Sequence, residues 1–118
     1  MTDNTKKLIG YLKHDIKDID AKLAEFQEDF TKDPAYALTW SDQTFTNAAR
    51  KRVYSTVLDA LTAPKSKATL ASVKEHLQKQ LMNDAKYPSK STSAAHNLMH
   101  QAEVSAIATV LEHIEVYL

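Results

Sequence analysis

Two histidines and a glutamate share one face of the last helix that the sequence predicts. His96 and His100 are four residues apart, and Glu103 follows three residues later. At helical spacing these side chains point the same way, and imidazole and carboxylate groups are ligands for divalent metal ions. The zincin pattern has a glutamate directly after its first histidine, whereas Asn97 occupies that position here. A weak metal site and an ordinary polar helix face are therefore the two interpretations.

A polar loop before this helix has the residue types of an anion site. Free amides and the helix dipole at a helix N-terminus favour phosphate or a nucleotide. The loop lacks the glycines with which phosphate-binding loops wrap their backbone around the anion. The alternative is a capped connector exposed to solvent. If a small ligand binds here, the sequence predicts contacts from Lys86, Lys90, Ser91, Thr92, Ser93 and His96.

Four further residues are weak candidates for contact with a partner protein: Tyr36, Trp40, Arg50 and Arg52. Tyr36 and Trp40 follow the Asp33-Pro34 break, where aromatic rings either form an exposed recognition patch or close the end of a helix bundle. The two arginines flank Lys51 in a basic cluster. No stacking motif accompanies that cluster, so a solvated basic face is favoured over a nucleic-acid contact.

Nucleophilic catalysis has little support in the residue types. The chain has no cysteine, and its serines lack the strand-to-helix elbow that exposes a serine nucleophile. The histidines have no carboxylate placed by sequence to orient them. The sequence therefore favours a non-catalytic protein without a cofactor, although it leaves enzymatic activity open.

Helices are the elements that must position these residues. A single glycine among 118 residues argues against a sheet protein with tight turns. Three prolines, Pro34, Pro64 and Pro88, divide the chain into four segments, because proline is disfavoured inside helices. We predict an all-α fold: a single domain over residues 1–118, with four unequal helices in a mostly antiparallel bundle.

Apolar residues at spacings of three and four mark the core face of each predicted helix. The first helix spans about 4–32, and the second runs from Pro34 towards Leu61 with a restart at Ser41 or Asp42. The third begins after Thr69 and ends near residues 84–86, and the fourth runs from about Ser93 to the C-terminus. The stripe of the first helix comprises Leu12, Ile16, Ile19, Leu23, Phe26 and Phe30, and the stripe of the last includes Val104, Ile107, Leu111, Ile114 and Leu118.

The unequal helix lengths predict a homodimer. Part of a long helix lacks a partner within one chain, and the heptad-like stripes of the first and last helices are typical packing seams. The alternative is that these two stripes pack only against each other within one chain.

Composition narrows the functional classes. Fifteen basic side chains balance fifteen acidic ones, so the chain lacks the net positive charge that is the simplest indication of nucleic-acid binding. The stretch from Met1 to Asp20 lacks the apolar centre of a signal peptide, and the longest apolar run, Val104 to Leu111, falls far short of the roughly 20 residues of a membrane span. The absence of cysteine fits a reducing compartment, so we predict a cytoplasmic protein without membrane contact.

Two functions from different classes remain. The first is a small helical interaction or regulatory protein, such as an accessory protein or a phage-type inhibitor, that acts by binding another protein. The alternative is a helical bundle that binds a small ligand, either an anion such as a nucleotide or a metal ion, near the start of the last helix.

Overall fold

The computed structural model describes residues 2–64, 67–86 and 93–117, and 91% of these residues are helical. Within those ranges there is no strand, so the predicted all-α fold is confirmed. Four long helices and one short one follow in the order α1 (Asp3–Lys32), α2 (Pro34–Leu38), α3 (Ser41–Thr62), α4 (Leu70–Lys86) and α5 (Ala94–Tyr117).

Short polar side chains fix where the first helices start and stop. The Thr2 side chain accepts a hydrogen bond from the backbone amide of Thr5 and caps α1. Asp33 ends α1, and its Oδ1 accepts from the amide of Tyr36 at 3.2 Å, with Pro34 in the first turn of α2. The predicted break at Asp33-Pro34 and the restart at Ser41 are both confirmed.

The last two helices begin in the same way. The amide of Ser72 donates to Thr69 Oγ1 at 3.1 Å at the start of α4. The amide of His96 donates to Ser93 Oγ at 3.3 Å at the start of α5. Each hydroxyl satisfies an amide that has no partner within its own helix.

Contacts between distant residues define the directions of α1 and α3. The Phe26 and Trp40 rings are 4.9 Å apart, whereas Tyr54, further along α3, approaches Tyr11, near the start of α1, at 6.5 Å. The two helices are therefore antiparallel.

Helix α5 is antiparallel to both α1 and α4. The Asn4 side chain donates to the carbonyl of Tyr117 at 2.6 Å, so the start of α1 meets the end of α5. Lys74 Nζ lies 2.9 Å from Glu115 Oε1, while Asp84 lies near His100. Since α3 and α5 both run opposite to α1, they are parallel to each other, and this pair forms the most extensive helix contact.

The core consists of aliphatic side chains from all four long helices, with one buried tyrosine. Leu8, Leu12, Val110 and Ile114 are fully buried and Tyr54 is 1% exposed. The predicted stripes locate many core positions but omit Leu8, Ile9, Tyr54 and Val110. Leu118, the last member of the α5 stripe, lies outside the described residues. In those described ranges, no helix has the length and apolar character needed to cross a membrane.

Helix α1 extends beyond this core. Its 30 residues correspond to about 45 Å at 1.5 Å per residue, close to the 47 Å longest dimension of the molecule. Its last buried residue is Ile19; further along, Leu23 and Phe26 are half-buried and Phe30 is 44% exposed. The final turns of α1 thus pack mainly on the short α2 and the start of α3.

Candidate functional site

Aromatic rings gather where α1 ends and α3 begins. The Trp40 ring meets the Phe26 ring edge-on, with centroids 4.9 Å apart and an interplanar angle of 87°. Phe26 also stacks on Phe30 at 6.1 Å, one helical turn further along α1. These are favourable geometries for aromatic pairs. Part of the contact area remains exposed, because nothing in the described chain covers the outer side of Phe30.

Helix α2 places one more large side chain, Tyr36, beside this cluster. Ala37 is fully buried and fixes the short helix against α1, while Tyr36 is 60% and Leu38 57% exposed, on opposite flanks of α2. Tyr36 and Trp40 also line a shallow depression between α1 and α3. We call this surface the aromatic end; it comprises Phe26, Phe30, Tyr36 and Trp40.

Acidic residues surround the aromatic end. Five acidic residues and two lysines lie between positions 22 and 42. Lys32 pairs with Glu28 at 2.7 Å. Glu25 and Asp29 line the same depression as Tyr36 and Trp40, together with Lys22, so acidic side chains are in excess around it. The surface therefore combines an exposed apolar centre with a negative surround.

The predicted partner residues are divided between different surfaces. Tyr36 and Trp40 lie together at the aromatic end. Arg50 Nη2 faces α1, 3.8 Å from Asp15 Oδ2, and its guanidinium lies over the Tyr54 ring at 5.6 Å. Arg52 faces α5 instead, where its Nη1 donates to Glu103 Oε1 at 3.3 Å. Residues two apart on a helix point to opposite sides, so the basic cluster is not one patch.

The three predicted metal ligands have different neighbours. His96 is exposed in the first turn of α5, and His100 Nε2 lies 4.0 Å from Asp84 Oδ1 on α4. Glu103 pairs with Arg52. Among the described residues, no three His, Asp or Glu side chains form a group that could hold a metal ion. The structure thus does not bring these three side chains together as a ligand set.

The predicted anion site is only partly described. Lys90, Ser91 and Thr92 lie outside the described residues, and Lys86 is the last residue of α4. Ser93 contributes its hydroxyl to the cap of α5. The small-ligand contacts of this segment therefore stay a prediction.

No family model, curated protein or solved structure matches this chain. A proposal about its function therefore rests on the geometry of the chain itself.

A polar and aromatic cluster that the sequence pattern does not predict joins α1, α3 and α5. The Tyr11 ring lies 3.9 Å from the His113 imidazole and 6.5 Å from the Tyr54 ring, centroid to centroid. Burial raises the pKa of Tyr11, and a hydrogen bond to Asp15 and the proximity of Tyr54 add to this rise. The phenol therefore stays protonated and donates to the carboxylate, which suits a structural clamp rather than a base. The i,i+4 spacing of Tyr11 and Asp15 was the available signal.

Proposed function

We propose that this protein acts by binding another protein through its aromatic end. The carrying observation is that exposed Phe30 and Tyr36 adjoin the Phe26–Trp40 pair where α1 extends past its core. Aromatic residues that present rigid contact area are enriched at protein interfaces and their hot spots. The buried Ala37 and the Asp33 cap hold α2 in place, so little order has to be gained on binding.

The charges around the aromatic end indicate the chemistry of the partner. Residues 22–42 carry five acidic side chains against two lysines, so a surface with an apolar centre ringed by lysine or arginine is complementary. A symmetric contact with a second copy would bring two negative surrounds together, which is unfavourable. The proposed occupant is therefore a different protein with a basic rim.

Self-association through the α1 and α5 stripes remains a separate prediction. Ile19, Ile107 and Ile114, which belong to those stripes, are buried within one chain. This burial reduces the apolar area that a dimer would gain. Both helices pack mainly against α3, so the alternative in which the two stripes pack only against each other is not what the chain adopts. Light scattering at micromolar concentration distinguishes the mass of a homodimer from that of a monomer.

A regulatory or accessory role in the cytoplasm accords with the proposal. The chain is small, carries balanced charge and has no cysteine that would require an oxidising compartment. Its contribution would be to occupy or cover a surface of the partner.

Site-specific photo-crosslinking in the native host tests the proposal. A benzophenone amino acid replaces Tyr36 in one variant and Met82, a 72% exposed residue of α4, in the matched control. We expect a discrete adduct with a second protein from position 36 and none of the same mass from position 82. Equal crosslinking from both positions, or none from position 36, contradicts the proposal.

A further inference from the structure

A groove of about 440 Å³ opens between α3 and α4, on the side of α3 away from α1. Helix α4 packs chiefly against α5, so α3 and α4 diverge and α5 forms the floor between them. The volume falls within the range of small-molecule sites, and clefts between the helices of a bundle are common positions for such sites. The groove is separate from the aromatic end and does not depend on the proposed function.

The lining changes from apolar to charged along the groove. Ala60 at the end of α3 and Ala68 before α4 lie at one end. Arg52, Gln80 and Glu103 lie at the other, since α3 and α5 run together and α4 runs against them. The intervening walls and floor are aliphatic and comprise Val53, Val57, Val73, Leu77 and Ile107.

Two hydroxyl groups along the wall do not interrupt this apolar section. Thr56 Oγ1 donates to the carbonyl of Arg52 at 2.9 Å, and Ser72 Oγ donates to the carbonyl of Thr69 at 3.0 Å. Their protons are used by their own chain segments. A bound molecule therefore meets mainly methyl and methylene groups until it reaches the charged end.

Arg52 is the group at the charged end that can bind an anion. Its side chain is 75% exposed, and its Nη1 donates to Glu103 Oε1 at 3.3 Å. A guanidinium has five N–H donors, so its other edge can bind a carboxylate with two parallel hydrogen bonds. Glu103 is 27% exposed and already faces Arg52. His76 on α4 adds an imidazole ring to the lining of the groove.

We propose that this groove binds a small amphiphilic carboxylate, with the carboxylate at Arg52 and the apolar body directed towards Ala60 and Ala68. Positions 52 to 60 of α3 are about 12 Å apart along the helix axis, which sets the length of the ligand. Medium-chain fatty acids and aryl-alkanoic acids belong to this class.

Decanoate, used below its micelle concentration, is the probe, and the methyl NMR signals of Val57, Val73 and Ile107 are the readout. We expect saturable shifts of these signals at millimolar decanoate or below. Decanol, which has the same chain without the charge, should bind about tenfold more weakly, because it cannot form the charge-assisted bonds.

Three variants separate this site from nonspecific binding. Arg52→Gln should weaken decanoate binding about tenfold. Lys79→Gln, which removes a charge from α4 outside the groove lining, should leave it unchanged. Ala60→Phe fills the apolar end and should abolish the shifts while circular dichroism stays helical. The proposal is overturned if no saturable shift occurs, if decanol and decanoate bind equally, or if Arg52→Gln binds as the wild type does.

Discussion

Two residues at the end of α5 show how position on a helix decides the effect of one side chain. Ile114 is fully buried, whereas Val116, two residues later, is 77% exposed. Ile114→Ala removes packed methyl groups and leaves a cavity, so we expect a loss of about 2–5 kcal/mol in the free energy of unfolding. Val116→Ala should change it by less than about 0.5 kcal/mol. Urea unfolding of both variants measures this contrast, and equal losses would contradict the packing of α5.

Tyr11 predicts a stability effect at alkaline pH. Its pKa is raised in the folded chain, mainly by burial and then by the hydrogen bond to Asp15. The folded state therefore holds the phenol proton more tightly than the unfolded state, and the resulting stabilisation is complete below the usual tyrosine pKa of about 10. It is lost as the pH rises above that value.

The variant Tyr11→Phe isolates this contribution. We expect the unfolding free energy of the wild type to fall more steeply than that of Tyr11→Phe as the pH rises from about 9 to 11. Urea titrations at each pH provide the comparison. Parallel pH profiles for the two proteins would show that Tyr11 ionises alike in the folded and unfolded states.

Buried residues could be predicted where the local spacing of apolar residues decides burial. Side chains that are buried through contacts between distant helices could not. Ile19 and Ile107 follow from their spacing, and both are buried. Tyr54 is not a member of the predicted stripes, yet it is 1% exposed. Its environment is formed by Tyr11 on α1 and the Arg50 guanidinium, and no local pattern shows these approaches.

At the scale of elements, the helix boundaries depend on short polar caps. Thr69 Oγ1 accepts from the amide of Ser72 at the start of α4, so Thr69→Ala should lower the unfolding free energy by about 1 kcal/mol. Thr109 lies inside α5, where its hydroxyl bonds to the carbonyl of Ser105. Alanine is the better helix former there, so Thr109→Ala should be neutral or slightly stabilising. Thermal unfolding measures the two changes in stability, which should have opposite signs. A loss of the same size in both variants would contradict the assignment of Thr69 as the cap of α4.

Element boundaries could be predicted almost to the residue because their signals are local. The Asp33-Pro34 pair and the Thr69 and Ser93 caps each fix a helix start within a few residues of chain. The parallel pairing of α3 with α5 has no such local signal. It depends on contacts between helices that are far apart in sequence. The aromatic end was anticipated only in part, through Tyr36 and Trp40, because its exposure depends on where the core stops along α1.

At the scale of the whole molecule, formal charge is balanced but unevenly distributed. The chain is neutral in total, whereas residues 22–42 carry five acidic side chains and two lysines. If a basic-rimmed partner binds there, salt should weaken the complex, because about 0.5 M salt shortens the screening length to well below 10 Å. Titrations at low and high salt test this dependence. An affinity that is independent of salt would leave the acidic surround without a role in recognition.

The central claim is that the protein binds its partner through the aromatic end. The most direct test measures how tightly the partner that crosslinking identifies binds to three forms of the protein. Isothermal titration compares the wild type with Tyr36→Asp, at the aromatic end, and with Met82→Asp on α4, both residues being more than half exposed. We predict at least about tenfold weaker binding for Tyr36→Asp, because the change replaces an aromatic ring of the contact with a charge, and unchanged binding for Met82→Asp. Equal affinities for the wild type and Tyr36→Asp would show that the protein does not bind its partner through the aromatic end.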